Sequence, residues 1–118
     1  MKAKDFAKLV YTKTVENQGF SVNLDGREPV NGYMVSYPDR ELKVNILALG
    51  IEHVLAYLNK NLGKLVHRGN YLGTWIDQDI VYIDISLNVT DRQLAFRIAK
   101  QWHQQAIYDV LSKEVIYL

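Results

Sequence analysis

The sequence predicts a single α+β domain over residues 1–118, with about three helices packed on one face of a mainly antiparallel, twisted sheet of about five or six strands. Two observations lead to this prediction. Apolar and polar residues alternate through Ile80–Val89 and through several shorter segments, which is the period of half-buried strands. Between those segments, apolar residues recur every three or four positions, as in amphipathic helices. The resulting order of elements is roughly αββαββαββ.

The composition is typical of an ordinary globular protein. Hydrophobic residues make up 48% of the 118 residues and charged residues 23%, so the chain can bury a core without disulfides or a structural metal. Cysteine is absent, which excludes thiolate nucleophiles and cysteine-based zinc sites and fits a reducing compartment. No apolar run is long enough to cross a bilayer, and the first ten residues lack the apolar segment of a signal peptide. We therefore expect a cytoplasmic protein without membrane contact.

The first third of the chain predicts one helix and two strands. Residues 2–17 approximate an amphipathic helix, and Gly19 is a suitable stop. Residues 20–24 then alternate as a short strand. After a loop rich in turn-forming residues, a second strand over 32–37 ends at Pro38, which cannot donate a ladder hydrogen bond.

The middle of the chain predicts a second helix over roughly 46–62. Its apolar residues recur at helical spacing, and Gly63 follows as the stop. The segment 64–70 then carries positive charge through a loop.

The last third of the chain predicts a hairpin, a helix and a second hairpin. The turn Asp77-Gln78-Asp79 joins strands over 72–76 and 80–89, the second with its odd-numbered residues facing the core. Thr90 is the expected N-cap of a helix that ends near Gln104. The segments AIYDVL and EVIYL follow as strands joined by a tight turn at Ser112-Lys113. The last strand is an exposed edge that suits pairing with a second copy of the chain, so a homodimer is a further expectation.

Histidine spacing predicts no metal site. His53, His67 and His103 are not three or four residues from one another or from a suitably spaced pair of carboxylates. We therefore expect neither a bound metal nor a cofactor.

Three aspartates allow one catalytic hypothesis, which we do not favour. Asp77, Asp79 and Asp84 are close in the sequence, and paired carboxylates can perform acid–base chemistry. Turn formation explains Asp77 and Asp79 better, while Asp84 falls in mid-strand on the face assigned to solvent. We expect no catalytic residue and keep an enzyme that uses Asp77, Asp84 and a histidine as the least favoured alternative.

The residues best suited to recognition are aromatic and basic. The net charge is only +1, so attraction of a nucleic acid would need a local patch. Such a basic patch is predicted at Lys60, Lys64, His67 and Arg68. The predicted interaction surface consists of Tyr33, Tyr37, Trp75, Asp77, Asp79, Tyr82, Arg97, Lys100 and Tyr108. Aromatic strands beside basic groups can stack single-stranded bases, but the same residues are also favoured at protein interfaces.

Three stretches of the chain resemble a group of small proteins encoded by phages, plasmids and integrative conjugative elements. They are GFSVNLDGREPVNGYMVSY, the segment from Tyr71 to Leu111, and the closing SKEVIYL. The matching residues are Gly19, Phe20, Ser21, Gly32, Tyr33, Met34, Val35, Ser36, Leu72, Gly73, Thr74, Trp75, Asp77, Tyr82, Asp84, Gln105, Ala106, Ile107, Tyr108 and Asp109. The DQD turn lacks the glycine often found there in the group, and His103-Gln104 replaces an expected asparagine.

This resemblance implies a mobile-element origin and no established activity. Small single-domain proteins of such elements commonly bind and block a host machine, including CRISPR nucleases and restriction enzymes. We therefore expect a non-enzymatic inhibitor of a host defence effector, of the anti-CRISPR or anti-restriction type, that acts by protein contact. The alternative is a nucleic-acid-binding accessory protein of replication, transfer or transcription.

Overall fold

A computed structural model describes all 118 residues and shows three helices and a seven-stranded antiparallel sheet. The elements in chain order are α1 (Ala3–Asn17), β1 (Gly19–Val22), β2 (Tyr33–Ser36), β3 (Leu42–Asn45), α2 (Ile51–Leu65), β4 (Asn70–Asp77), β5 (Ile80–Val89), α3 (Arg92–Gln101), β6 (Ala106–Asp109) and β7 (Glu114–Tyr117). The sheet runs β1-β4-β5-β2-β6-β7, and β3 also pairs with β5. The predicted α+β class is confirmed.

All three helices pack on the same face of the sheet. In β5, Val81, Ile83 and Ile85 point towards α1 and α2 and are fully buried. Farther along the same face of β5, Val89 packs with alanines of α3. The strand registers show which residues of the other strands point to the same side, because residues directly opposite one another in antiparallel strands share a face. The other face has no helix on it.

The buried residues form two clusters of unequal size. The larger has 15 residues, mainly from α1, α2 and the strands β1, β4 and β5. The smaller has five, Val35, Val89, Ala95, Ala99 and Ile107, and supports α3 and β6. Strand β2 lies between the two regions because it pairs with both β5 and β6.

The sequence prediction assigned no separate element to β3, although Val44 and Ile46 have the spacing of a strand. It also placed both the start and the end of α2 too early. Residues 46–49 form a turn after β3 because the Asn45 side chain accepts a hydrogen bond from the Leu47 amide. The helix begins after Gly50, whose amide donates to Nδ1 of His53. Gly63 does not stop α2, which continues to Leu65 because burying the Leu65 side chain adds to the core.

The ends of α1 and β1 also differ from the prediction. Gln18, at φ 63°, takes the left-handed position after α1, so Gly19 already belongs to β1. Strand β1 ends at Val22, two residues earlier than predicted. The Asn23 side chain accepts hydrogen bonds from the amides of Asp25 and Arg27 and thereby closes a turn.

In the last third, the predicted elements are present with shifted ends. Asp91 caps α3 in place of the predicted Thr90, because its carboxylate accepts from the amides of Gln93 and Leu94. Strand β6 ends at Asp109, whose carboxylate likewise accepts from the following turn. No helix has the length and apolarity needed to cross a membrane.

Candidate functional site: the open face of the sheet and the Asp84 notch

The face of the sheet opposite the helices, here called the open face, carries a row of aromatic side chains. Its members follow from the strand registers, which place Trp75 opposite Tyr82 and Tyr82 opposite Lys43. The rings of Trp75 and Tyr82 stack with centroids 5.4 Å apart, and Nζ of Lys43 lies 5.7 Å from the Tyr82 centroid. Trp75 is still 53% exposed, so an indole of this size has ample surface left for a partner.

A second group of apolar side chains lies on the same face at the β7 edge. Tyr108 is opposite both Met34 in β2 and Val115 in β7, while Ala106 is opposite Tyr117. Tyr117 is 77% exposed and Val115 53%. The open face therefore presents apolar and aromatic surface near both edges of the sheet.

Few charges lie on the strands of this face. The charged strand residues there are Lys43, Asp77 and Asp84, and Asp79 lies just beyond, in the exposed hairpin turn. These charges sum to a small net negative value, so the open face does not carry the positive charge that phosphate binding requires.

The predicted tyrosines Tyr33 and Tyr37 lie on the helix side instead. The Tyr37 ring stacks on Trp102 with centroids 4.5 Å apart, and its hydroxyl donates to Oδ1 of Asn70 at 2.8 Å. The guanidinium carbon of Arg92 lies 5.9 Å from the Tyr33 centroid. Both rings therefore contact other side chains on the helix side and are not part of the open face.

The predicted basic residues are also separated from the open face. Arg97 and Lys100 are exposed on α3, across the sheet from Trp75. Nζ of Lys64 lies 4.6 Å from the Tyr37 ring, whereas Lys60 borders a cleft beside Tyr57. The other two members of the basic patch, His67 and Arg68, are exposed in the turn between α2 and β4.

Beside the aromatic row, a polar notch surrounds Asp84. It lies where β2 ends and β3 begins, has a volume of about 490 Å³, and is lined by Ser36, Tyr37, Asp39, Glu41, Asp84 and Gln104. Oγ of Ser36 donates to Oδ2 of Asp84 at 2.8 Å. Burial raises the pKa of Asp84 to about 6; the Ser36 hydrogen bond opposes this shift and the negative charge of Glu41 adds to it. Asp84 lies on the predicted side of the sheet, but its side chain is only partly exposed and its carboxyl group is largely desolvated.

A buried tyrosine anchors the segment that borders the notch. The Tyr57 hydroxyl donates to the carbonyl oxygen of Arg40 at 2.6 Å, and Nη1 of Arg40 donates to Oδ1 of Asn61. Burial raises the pKa of Tyr57 well above its usual value, so this hydroxyl stays a donor. These contacts hold the β2–β3 segment against α2.

The structure does not bring together the groups of the catalytic hypothesis. Asp77 is opposite Ile80 and Asp84 is opposite Gly73, so the two aspartates are four residue pairs apart, about 13 Å at the usual strand rise. Nδ1 of His53 accepts the Gly50 amide at the start of α2. No three His, Cys, Asp or Glu side chains are arranged to hold a metal ion.

Sequence reasoning missed most of the notch. Ser36 and Gly73 were noted only as residues that match the mobile-element proteins, and Glu41 was not noted. The three come together only where β2, β3 and β4 all pair with β5. The register of the β4–β5 hairpin was the one clue available, since a two-residue turn at Gln78-Asp79 places Gly73 directly opposite Asp84.

Comparisons with known proteins add no family or relative: no family model, no curated protein and no solved structure matches this chain.

Proposed function

We propose that this chain is a non-enzymatic binding protein that occupies a surface of a partner protein with the open face of its sheet. The observation that carries the proposal is the exposed Trp75–Tyr82 stack on a sheet face that no helix covers. Large aromatic side chains of this kind are the residues that most often dominate the binding energy of protein interfaces.

The charge distribution favours a protein over a nucleic acid as the partner. A protein interface needs an apolar centre with few charges, which matches the sparsely charged strands of the open face. A nucleic acid stacked on Trp75 would need cations along its backbone, but Arg97 and Lys100 lie across the sheet.

The resemblance to small mobile-element proteins suggests the class of partner. We propose that the partner is a host defence effector, such as a CRISPR nuclease or a restriction enzyme, and that binding in the bacterial cytoplasm blocks its working surface. Because the chain is not acidic, it would act by covering or locking that surface rather than by imitating the charge of DNA.

The test is co-purification of the chain with a panel of such effectors, combined with a nuclease assay. We expect one stable, inhibited complex, and we expect Trp75→Ala to weaken it by about 2 kcal/mol, roughly a thirtyfold rise in Kd. Leu94→Ala is the matched control, since Leu94 is 40% exposed but lies on α3. A panel without any complex, or equal affinity losses for the two variants, would contradict the proposal.

The alternative, binding of single-stranded nucleic acid, rests on the same stacked rings. It predicts salt-sensitive binding of a labelled oligonucleotide that Trp75→Ala and Lys43→Ala both weaken, because Lys43 is the cation beside the stacked rings. Absence of binding at low salt excludes it.

A further inference from the structure

The Asp84 notch is produced by an interruption in one edge of β5. Ser36 of β2 is opposite Ser86, and Leu42 of β3 is opposite Ile83. The five residues between Ser36 and Leu42 therefore face only two residues of β5, and the chain bulges outwards there. Bulges of this kind often lie beside binding sites because they redirect side chains.

One oxygen of the Asp84 carboxylate is left open by the residue opposite it. Oδ2 accepts the Ser36 hydroxyl, while Oδ1 accepts no hydrogen bond from the protein and stays accessible from the notch. A Cβ atom on Gly73 would lie 2.9 Å from Oδ1, so any larger residue at that position would push into the carboxylate. Glycine therefore preserves the space around this oxygen.

The carboxylate also lacks a counter-ion. No Lys or Arg forms an ion pair with Asp84, and none lines the notch. A desolvated carboxylate that is ionised at neutral pH costs free energy unless a cation compensates it. Two further carboxylates, those of Asp39 and Glu41, line the same notch and reinforce its negative potential.

The spacing of these groups selects an extended cation. Three carboxylates line one notch, yet they are not close enough to share a metal ion. A guanidinium group is planar, weakly hydrated and presents five donors in a fixed fork, so it can meet acceptors at several separated points. Oδ1 of Asp84, the Glu41 carboxylate and the Gln104 side chain offer such points.

We propose that the notch formed by Ser36, Asp39, Glu41, Asp84 and Gln104 binds the guanidinium group of an arginine side chain that the partner protein inserts as it docks on the open face. This inference rests on the proposed function for the identity of the partner, but the notch itself can be tested without one. Asp84 lies two residues from Tyr82 on the same face of β5, so an arginine here would sit at the border of the aromatic surface.

The probe is Nα-acetyl-arginine amide, titrated into the isotopically labelled protein at pH 7.5 and followed by amide chemical shifts. We expect saturable shifts at Ser36, Gly73 and Asp84. The uncharged isostere Nα-acetyl-citrulline amide should bind at least about tenfold more weakly, because it cannot form charge-assisted hydrogen bonds. Asp84→Asn should abolish the shifts, and Glu41→Gln, an exposed rim variant, should weaken them.

The control is Asp77→Asn, an exposed carboxylate of the same face, which should bind the probe as the unmodified protein does. Equal binding of citrulline, shifts spread over all exposed carboxylates, or binding that survives Asp84→Asn would overturn the proposal. Tighter binding of Nα-acetyl-lysine amide, or the same shifts with Mg²⁺ or Ca²⁺, would overturn the guanidinium assignment. If the arginine probe causes no shifts in the notch but Trp75→Ala still weakens a complex with a partner protein, this inference is refuted and the proposed function is not.

Discussion

Burial of one carboxyl group, that of Asp84, makes the stability of this protein depend on pH. Its pKa is about 6 in the folded protein against an ordinary value of 3.8. Because the folded state holds this proton more tightly, the favourable contribution of Asp84 is complete below about pH 4 and is lost as the pH rises through 6. Roughly two pKa units correspond to about 3 kcal/mol.

Replacing Asp84 by Asn should therefore stabilise the protein at neutral pH. The amide keeps an oxygen that can accept the Ser36 hydroxyl, while the charge is gone. We expect the free energy of unfolding of Asp84→Asn, relative to the unmodified protein, to increase by about 2 kcal/mol between pH 4 and pH 7. Urea denaturation at the two pH values measures this, with Asp77→Asn as the control. If the difference in unfolding free energy between Asp84→Asn and the unmodified protein is the same at both pH values, the carboxyl group is not desolvated.

A residue that lowers the free energy of unfolding at neutral pH is a candidate for a functional residue. Unpaired buried charges are rarely kept for packing, and they concentrate at binding sites. If Asp84→Asn is more stable but no longer binds the arginine probe, the two measurements together connect the stability cost to recognition.

At the scale of single elements, α3 offers a test of how helix ends are specified. Both Thr90 and Asp91 are residue types that cap helices, and the sequence favoured Thr90. In the structure the Asp91 carboxylate accepts from the Gln93 amide at 2.9 Å and from the Leu94 amide at 3.3 Å. Asp91 also places a negative charge at the positive end of the helix dipole.

We expect Asp91→Ala to lower the free energy of unfolding by about 1 kcal/mol, the usual cost of losing a cap. Thr90→Ala should change it by less than about 0.5 kcal/mol, because Thr90 is an exposed surface position. Urea denaturation of both variants provides the comparison. A larger loss of unfolding free energy for Thr90→Ala than for Asp91→Ala would indicate that Thr90 is the N-cap.

The element α2 shows why local signals misplace helix ends. Gly63 is a good stop signal, yet the helix continues through it to Leu65, which is 2% exposed. A Cβ at position 63 would meet no atom within 4 Å, so nothing in the packing requires glycine there. The gain from burying Leu65 outweighs the roughly 1 kcal/mol that an interior glycine costs.

At the scale of the whole molecule, the two buried clusters predict unequal local stability. The cluster under α3 contains five residues, two of them alanines with little apolar surface, against 15 residues in the cluster under α1 and α2. Regions with fewer buried apolar contacts open at lower free energy than the whole protein.

We therefore expect amide hydrogens of α3, β6 and β7 to exchange through a partial opening that leaves β4 and β5 protected. Native-state hydrogen exchange at increasing urea concentration measures the free energy of this partial opening and the free energy of global unfolding. Loss of protection in all of these elements at one common free energy would instead indicate a single cooperative unit. The comparison matters for function because Tyr108, Val115 and Tyr117 of the open face belong to the weaker region.

The fold class and the side of the sheet that carries the core were predictable from the sequence. Alternation over Ile80–Val89 and the helical spacing in α2 and α3 depend on neighbouring residues alone, and the pleat and the helix turn fix which side chains share a face. Trp75, Tyr82 and Tyr108, three residues of the predicted interaction surface, lie on one face of the sheet, and whether that face binds a partner stays a prediction.

Tertiary structure alone decided which candidates share that surface and what surrounds Asp84. Tyr33 and Tyr37 were grouped with Trp75 by residue type, but the register of β2 turns them towards the helices. Strand β3 and the notch depend on two separate segments pairing with β5, and the alternation within a segment does not show which distant strand it pairs with. The alternation in β5 placed Asp84 opposite the core. Only the folded sheet brings to it the Ser36 hydroxyl, the negative charge of Glu41 and the space that Gly73 leaves beside Oδ1.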